Sequence, residues 1–494
     1  MATVSPPRPA SAATIEILEA RARRMPAAVA PAVTIVGVAV AMLLIYGPSY
    51  VNYDAQWALV WARDLWQGFT PEYTADFAPT PHPLATAVSL LALPLGHGGP
   101  ILILALSLLS FGTLTYLTYA LGATLFTRLV GVVAALIVVT RPALERDALI
   151  GYQDMPFATI VVGAVLLEAR RPRRGVPVLA LLALAGLLRP EAWALAGLYW
   201  LYLYPGLAPA QRARTLALVL AAPLIWALSD WLVAGDPLHS LHGTAALAAE
   251  VGRRRSPEEV PYWTAQYFGY ALREPMVIGV PIGLAFAWRY VRRRATLPVA
   301  VAVTMTAVFG VGPLFGLPLI RRYVETPAVL LTVFYGLAVC GWTLLRPGTR
   351  ARRGWMIAGG VAVLLSVAYL PWHADRLGGV QRRLDVDGAL YGDLEAVGQS
   401  PAVRAAFARC APVTAGDHRA IPFLRFWLDA DPGTVGTLEG GASPMGKVLV
   451  LQRWNHSTAR IYPARAFSHV DPPVGYRQIF RNPSWRVFAA PECA

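Results

Sequence analysis

Residues 51–83 read VNYDAQWALVWARDLWQGFTPEYTADFAPTPHP and follow the first long apolar run of the chain. Asp54 stands just beyond the point where an apolar helix from about Ala32 to Tyr50 would leave a bilayer. A carboxylate at that boundary is costly unless it is used. Asp54 is therefore the first candidate for chemistry, as a general base toward an acceptor hydroxyl. The structural alternative is a helix cap, since an Asp ahead of the amphipathic WALVWARDLWQG would satisfy free backbone N–H groups. Asp64, inside that run beside Arg63, reads as a solvated surface charge. Prolines 79, 81 and 83 make a stiff turn that would aim His82 at the mouth of a cavity, although a lone histidine is as readily structural.

Outward from this stretch, the composition sets the class. Of 494 residues, 56% are hydrophobic and 15% charged, and the mean hydropathy is +0.48, which excludes an ordinary soluble protein. The formal charge of +14 would suggest nucleic acid in a soluble chain. Here the cations, all Arg except Lys447, lie between apolar runs, so membrane topology explains them and no nucleic-acid partner is expected.

The reading is a polytopic α-helical membrane protein of about eleven transmembrane helices in the plasma membrane, with a small C-terminal extracytoplasmic α/β domain. Residues 1–31, with Arg21, Arg23 and Arg24 and no leader-like pattern, form a cytoplasmic N-terminal segment. Residues 32–371 form the membrane domain, with outer loops at 51–99, 141–156 and 234–275 and an interfacial helix over 84–96. An odd number of spans puts EARRPRRG, QRAR, RYVRRRA and RPGTRARRG on the cytoplasmic side and residues 372–494 outside. In that outer domain VLVLQRW and WRVFAA read as strands and IPFLRFWLDA as a helix. Its oxidising surroundings would let Cys410 pair with Cys493, while Cys340 reads as a buried thiol.

The second outer loop, RPALERDALIGYQDMP, holds Arg146, Asp147 and Asp154. The two aspartates suit a sugar hydroxyl or a divalent cation such as Mg²⁺ or Mn²⁺, with Asp154 the candidate ligand, and Arg146 suits a phosphate. The plainer alternative is a loop with one ion pair, from Glu145 to Arg141 or Arg146. Arg189 and Glu191 beside Trp193 read equally as a structural pair or a ligand contact. Arg321, Arg322 and Tyr323 open a late span on the outer face, against the positive-inside trend. A lipid phosphate would suit those guanidinium groups, as would snorkelling to headgroups. Arg253 to Arg255 read as a solvated patch, and His239 and His242 lack a third metal ligand nearby. Glycine-rich phosphate loops are absent, so no nucleotide site is indicated.

The order of these features resembles the GT-C superfamily of integral-membrane glycosyltransferases, in particular its protein O-mannosyltransferase and aminoarabinose-transferase branch. The resemblance covers roughly residues 30–370. It rests on YDAQW after the first span, HPLATAVSLLALPLG, GYQDMPF at the fourth span, LLRPEAW, and RRYVETP opening a late span. It implies an inverting transferase that moves a sugar from a polyprenyl-phosphate donor to a glycan, lipid or protein hydroxyl on the outer face. By the same resemblance Asp54 would be the base, Asp154 the acidic residue of the second loop and Arg322 a donor-phosphate contact. The chain departs from the pattern in lacking an Asp-Glu pair at Asp54 and a compact DxD. A lipid or polysaccharide flippase and a noncatalytic membrane scaffold are the rival classes, although no internal repeat of the transporter kind is evident.

Overall fold

The structure, a computed structural model, describes residues 29–453 and 470–494. The N-terminal segment and its Arg cluster therefore lie outside the described residues, apart from the first turn of α1. Among the described residues the membrane part is built from sixteen α-helices. α1 (Val29–Tyr46) leads into α2 (Tyr53–Trp66), α3 (Pro83–Ala92), α4 (Gly99–Leu125) and α5 (Arg128–Val139). α6 (Pro142–Leu149), α7 (Asp154–Arg170), α8 (Val176–Gly186), α9 (Glu191–Leu203) and α10 (Pro209–Ala234) follow. The last group is α11 (His239–Glu250), α12 (Val260–Leu272), α13 (Met276–Tyr290), α14 (Arg292–Val311), α15 (Glu325–Cys340) and α16 (Arg350–Ala368).

Among the described residues, six helical stretches are long and apolar enough to cross a membrane, and up to eight if two bent pairs each count as one. The bent pairs are α6 with α7, at 116°, and α12 with α13, at 96°. The expected count of about eleven is higher because the sequence reading gave a full crossing to each apolar run. α5, α8 and α9 have 12, 11 and 13 residues. At 1.5 Å per residue they reach only about 16–20 Å, short of the roughly 30 Å hydrocarbon core. The stretches 141–156 and 234–275, expected as outer loops, are also mostly helical: α6 and the start of α7 fill the first, and α11 and α12 the second.

α15 is the axis of the bundle. It is apolar on every side, and 83% of the apolar window of the stretch Arg321–Leu344 is buried, the mark of a helix enclosed by protein. α13 and α16 close on it through glycine: a Cβ at Gly283 would lie 1.7 Å from the Phe334 carbonyl oxygen, and one at Gly359 would lie 2.2 Å from that of Val339. Leu44, Ile101, Leu232, Ile278, Trp288, Ile357 and Leu364 point outward and exposed, as a lipid-facing belt requires.

α17 (Leu370–Gln399) carries the chain out of α16 and into the C-terminal unit, followed by α18 (Pro401–Cys410) and α19 (Ile421–Trp427). The sheet has order β2-β1-β3-β5-β4, from β1 (Val413–Ala415), β2 (Val435–Thr437), β3 (Val448–Gln452), β4 (Arg477–Arg481) and β5 (Trp485–Ala489). β2, β1 and β3 run parallel, with Val413 beside both Val435 and Val448, while β5 and β4 are antiparallel to their neighbours. Val448, Leu449 and Val450 are wholly buried, so both faces of the central strand are covered. Cys410 and Cys493 are joined by a disulfide that closes an 83-residue separation.

α2 joins the two parts. Trp57 and Trp61 on it are buried against the core of the C-terminal unit. Asp64 is not the solvated charge that the sequence suggested: with side-chain exposure of 0% it pairs at 2.9 Å with Arg425 of α19, itself 0% exposed. Arg63 donates to the carbonyls of Arg425 and Ala430 at 2.8 and 2.7 Å. The amphipathic pattern was right, but its polar edge faces another domain rather than water.

Candidate active site

Asp54 sits in the first turn of α2, yet it does not cap the helix. Asn52 does so, its side-chain oxygen accepting from the backbone N–H groups of Asp54 and Ala55 at 2.9 and 3.2 Å. The Asp54 carboxylate is left for another partner, and Oδ2 meets Arg322 Nη1 at 2.9 Å. Arg322 lies in a 3₁₀ turn, Arg321–Val324, that leads into α15, and its Nε is 3.9 Å from Asp154 Oδ2. Asp154 opens α7 and is buried; its other oxygen accepts from Arg189 Nη1. Arg189 in turn pairs with Glu191 at the start of α9, its Nε at 3.3 Å from Oε2. Five charged side chains, from α2, α7, α9, the turn before α9 and the 3₁₀ turn, thus form one continuous string.

Aromatic rings hold the string in place. The Arg189 guanidinium lies 4.3 Å from the centre of the Tyr323 ring and 5.1 Å from that of Phe157, and Arg322 lies 4.8 Å from Tyr152. Arg321 pairs with Glu325 at 3.7 Å and lies over Tyr270, and Arg146 pairs with buried Asp147 at 3.5 Å. Glu145 takes a hydrogen bond from Tyr46 rather than an ion pair from Arg141 or Arg146.

These residues border a cavity of about 1400 Å³ between the membrane helices and the C-terminal unit. Asp54, His82, Arg146, Asp147, Asp154, Arg189, Glu191, Arg321, Arg322 and Tyr323 all line it. His82 stands ahead of α3 without capping it, edge-on to Trp226, with Nδ1 shielded and unpartnered. Burial pushes its imidazole down to about 4, Asp54 offsetting this only in part. At neutral pH it is an uncharged ring, able to make a hydrogen bond but adding no positive charge. Burial likewise pushes the Tyr53 phenol upward, and its hydroxyl donates to the Phe77 carbonyl at 2.9 Å.

Other lining residues were not read as site residues from sequence. Arg253 and Arg254 line the cavity, are exposed and, among the described residues, have no carboxylate partner; Arg254 lies 3.8 Å from the centre of the Trp263 ring. The patch is solvated, as read, but it borders the site. His418 and Arg419 reach the cavity from the C-terminal unit; the polar run GDHR directly after a strand was the available signal. Asp154, engaged by two guanidinium groups, is not in a group of three close donors. Among the described residues only Asp417, His418 and Glu439 form one. His242 pairs with Asp236 at 2.6 Å.

No family model and no curated protein matches the chain. Solved structures do. ArnT from Cupriavidus metallidurans bound to undecaprenyl phosphate superposes with a TM-score of 0.54 at 16% identity, over 94% of this chain and 98% of that one. The same protein in the apo state gives 0.54 and 16% over 93% and 97%. The chain thus has the fold of ArnT over nearly its whole length, the C-terminal unit included.

Proposed function

We propose that this protein is a multi-pass membrane glycosyltransferase that transfers a sugar from a polyprenyl-phosphate donor to an acceptor hydroxyl, at a cavity on the outer face. The observation that carries the reading is the ion-pair string Asp54–Arg322–Asp154–Arg189–Glu191 along one wall of a large cavity, in a chain with the fold of a protein solved with undecaprenyl phosphate. A lipid-phosphate sugar needs no nucleotide cradle. It needs cations for the departing phosphate and a base to align the incoming oxygen.

In this reading Asp54 is the base. Its Oδ2 is anchored by Arg322, and Oδ1 has no partner among the described residues. The acceptor oxygen gives its proton to Asp54 and bonds to the anomeric carbon; the bond from that carbon to the phosphate oxygen breaks, and polyprenyl phosphate leaves with the electron pair. One displacement with one base inverts the anomeric centre. Arg253 and Arg254, free of carboxylates among the described residues, take the phosphate together with the Arg321–Arg322 pair. Asp154 and Glu191, held by Arg189, contact sugar hydroxyls along with neutral His82. Orientation follows the positive-inside pattern, with the outer domain extracytoplasmic.

The test is transfer in nanodiscs, using undecaprenyl-phosphate-linked arabinose, mannose, galactose and glucose, with release of free undecaprenyl phosphate as readout. Asp54→Asn lowers turnover by roughly 10²–10⁴-fold and leaves undecaprenyl-phosphate binding intact. A flippase or scaffold would tolerate the substitution. Failure of the wild type to bind the lipid phosphate or release it from any donor refutes the proposal.

A further inference from the structure

The outer domain carries a second polar cluster that the proposed transfer does not use. Asp417 and His418 follow the carboxyl end of β1, and Glu439 follows that of β2. These strands are parallel neighbours, and β3 lies parallel on the other side of β1. The chain passes from β1 to β2 on one flank and returns to β3 on the other. The end of β1 is therefore a point where strand order reverses, and such points in open sheets are where ligands bind. One donor atom from each of the three residues falls within 4.8 Å of the others.

From this arrangement we infer that Asp417, His418 and Glu439 form a divalent-cation site, of the Zn²⁺ or Mn²⁺ kind. Two carboxylates and one imidazole suit a borderline cation better than Mg²⁺ or Ca²⁺, which prefer oxygen alone. His418 Nδ1 is 2.6 Å from Glu439 Oε2 and 3.8 Å from Asp417 Oδ1. Ligands of one tetrahedral ion at 2.0–2.2 Å stand roughly 3.3 Å apart; the His418–Glu439 contact is a hydrogen bond that the ion would replace, opening by well under 1 Å, while Asp417 would close by about as much. Asp417 Oδ2 and Glu439 Oε1 have no partners among the described residues and remain open for bidentate binding. Arg419, on Asp417 at 3.4 Å, balances only part of the acidic charge.

The place gives the ion a job. His418 stacks on Phe77 at 4.6 Å and meets Tyr53 edge-on at 5.6 Å. Phe77 belongs to the first outer loop, and Tyr53 adjoins Asp54. An ion on His418 would fasten the outer domain to the segment that presents Asp54, at the border of the same cavity.

The experiment uses the full chain in detergent, stripped with a chelator and titrated with ZnCl₂, MnCl₂, MgCl₂ and CaCl₂ by calorimetry, with bound metal counted by mass spectrometry. One Zn²⁺ or Mn²⁺ per chain is expected, with Mg²⁺ and Ca²⁺ binding at least tenfold more weakly. His418→Ala and Glu439→Gln should each weaken binding at least tenfold, while Asp154→Asn leaves it unchanged. Visible absorption of bound Co²⁺ in the wild type reports imidazole ligation independently of any variant's folding. No stoichiometric metal, binding indifferent to both ligand variants, or loss on Asp154→Asn would overturn the assignment. None of these readouts needs sugar transfer, so the site can fail without the transferase reading failing, and the reverse.

Discussion

Replacing Arg425 by Met tests how α2 is fixed, and with it the placement of Asp54. Arg425 is fully enclosed, with Asp64 at 2.9 Å and Glu72 at 3.2 Å. Removing the guanidinium strands the Asp64 carboxylate at 0% exposure, and an uncompensated buried charge costs about 3–5 kcal/mol. Burial already pushes the Asp64 carboxyl upward despite Arg425, so its charge depends on that partner. Asp64→Asn is milder. Arg425 then keeps Glu72, which is 23% exposed and bound to the Gly433 N–H at 3.1 Å, so the loss is that of one charged hydrogen bond, about 1.5–3 kcal/mol. Asp64→Leu with Arg425→Met removes both charges and should recover most of the loss. For a domain of this size 1 kcal/mol moves Tm by roughly 3–4 °C. Arg425→Met should therefore lower the outer-domain transition by about 10–20 °C in scanning fluorimetry of the detergent-solubilised chain, and expose that domain to protease. A drop under about 3 °C, or a double variant no better than Arg425→Met, would refute the idea that this pair is the joint.

The remaining predictions concern the cavity and the outer domain. Arg253→Gln and Arg254→Gln should each raise the donor KM about tenfold or more with little change in kcat, because each removes a charged contact to phosphate worth about 1.5–3 kcal/mol; unchanged donor KM in both would move the phosphate elsewhere. His82, held down to about 4 against an ordinary value near 6.5, favours the native state while neutral. Its contribution is complete above about pH 6.5 and is lost as pH falls toward 4, up to about 3 kcal/mol; thermal melts of His82→Gln should show a shallower acid decline than the wild type. Opening the Cys410–Cys493 disulfide, by reductant or Ser substitution, should cost the outer domain roughly 2–5 kcal/mol, read as a lower Tm with the membrane helices intact.

The fold class and the gathering of the charged residues were legible because charge beside a hydrocarbon layer is costly and so stands out. Asp54, Asp154, Arg189 and Arg322 each interrupt apolar sequence, and each sits in the string. What a carboxylate does in a helix's first turn was less legible, since Asn52 and Asp54 compete for one cap and only coordinates show which wins. The span count was overread at α5, α8 and α9 because apolar composition looks the same in a helix shielded by neighbours as in one crossing alone. Asp64 was misread for a related reason: amphipathicity shows that a face is polar without saying whether water or another domain meets it. His418 and Glu439 lie 21 positions apart and become neighbours only through the pairing of β1 with β2, which no local pattern announces.

The string of ion pairs and the two exposed arginines also give the cavity a direction. Its buried wall is crowded with carboxylates that are mostly spoken for by guanidinium groups, while Arg253 and Arg254, exposed on its lining, have no carboxylate partner among the described residues. A ligand that is neutral and hydroxyl-rich at one end and anionic at the other is drawn in one way round only. The potential selects its heading before any single contact forms, and added salt should blunt that selection first.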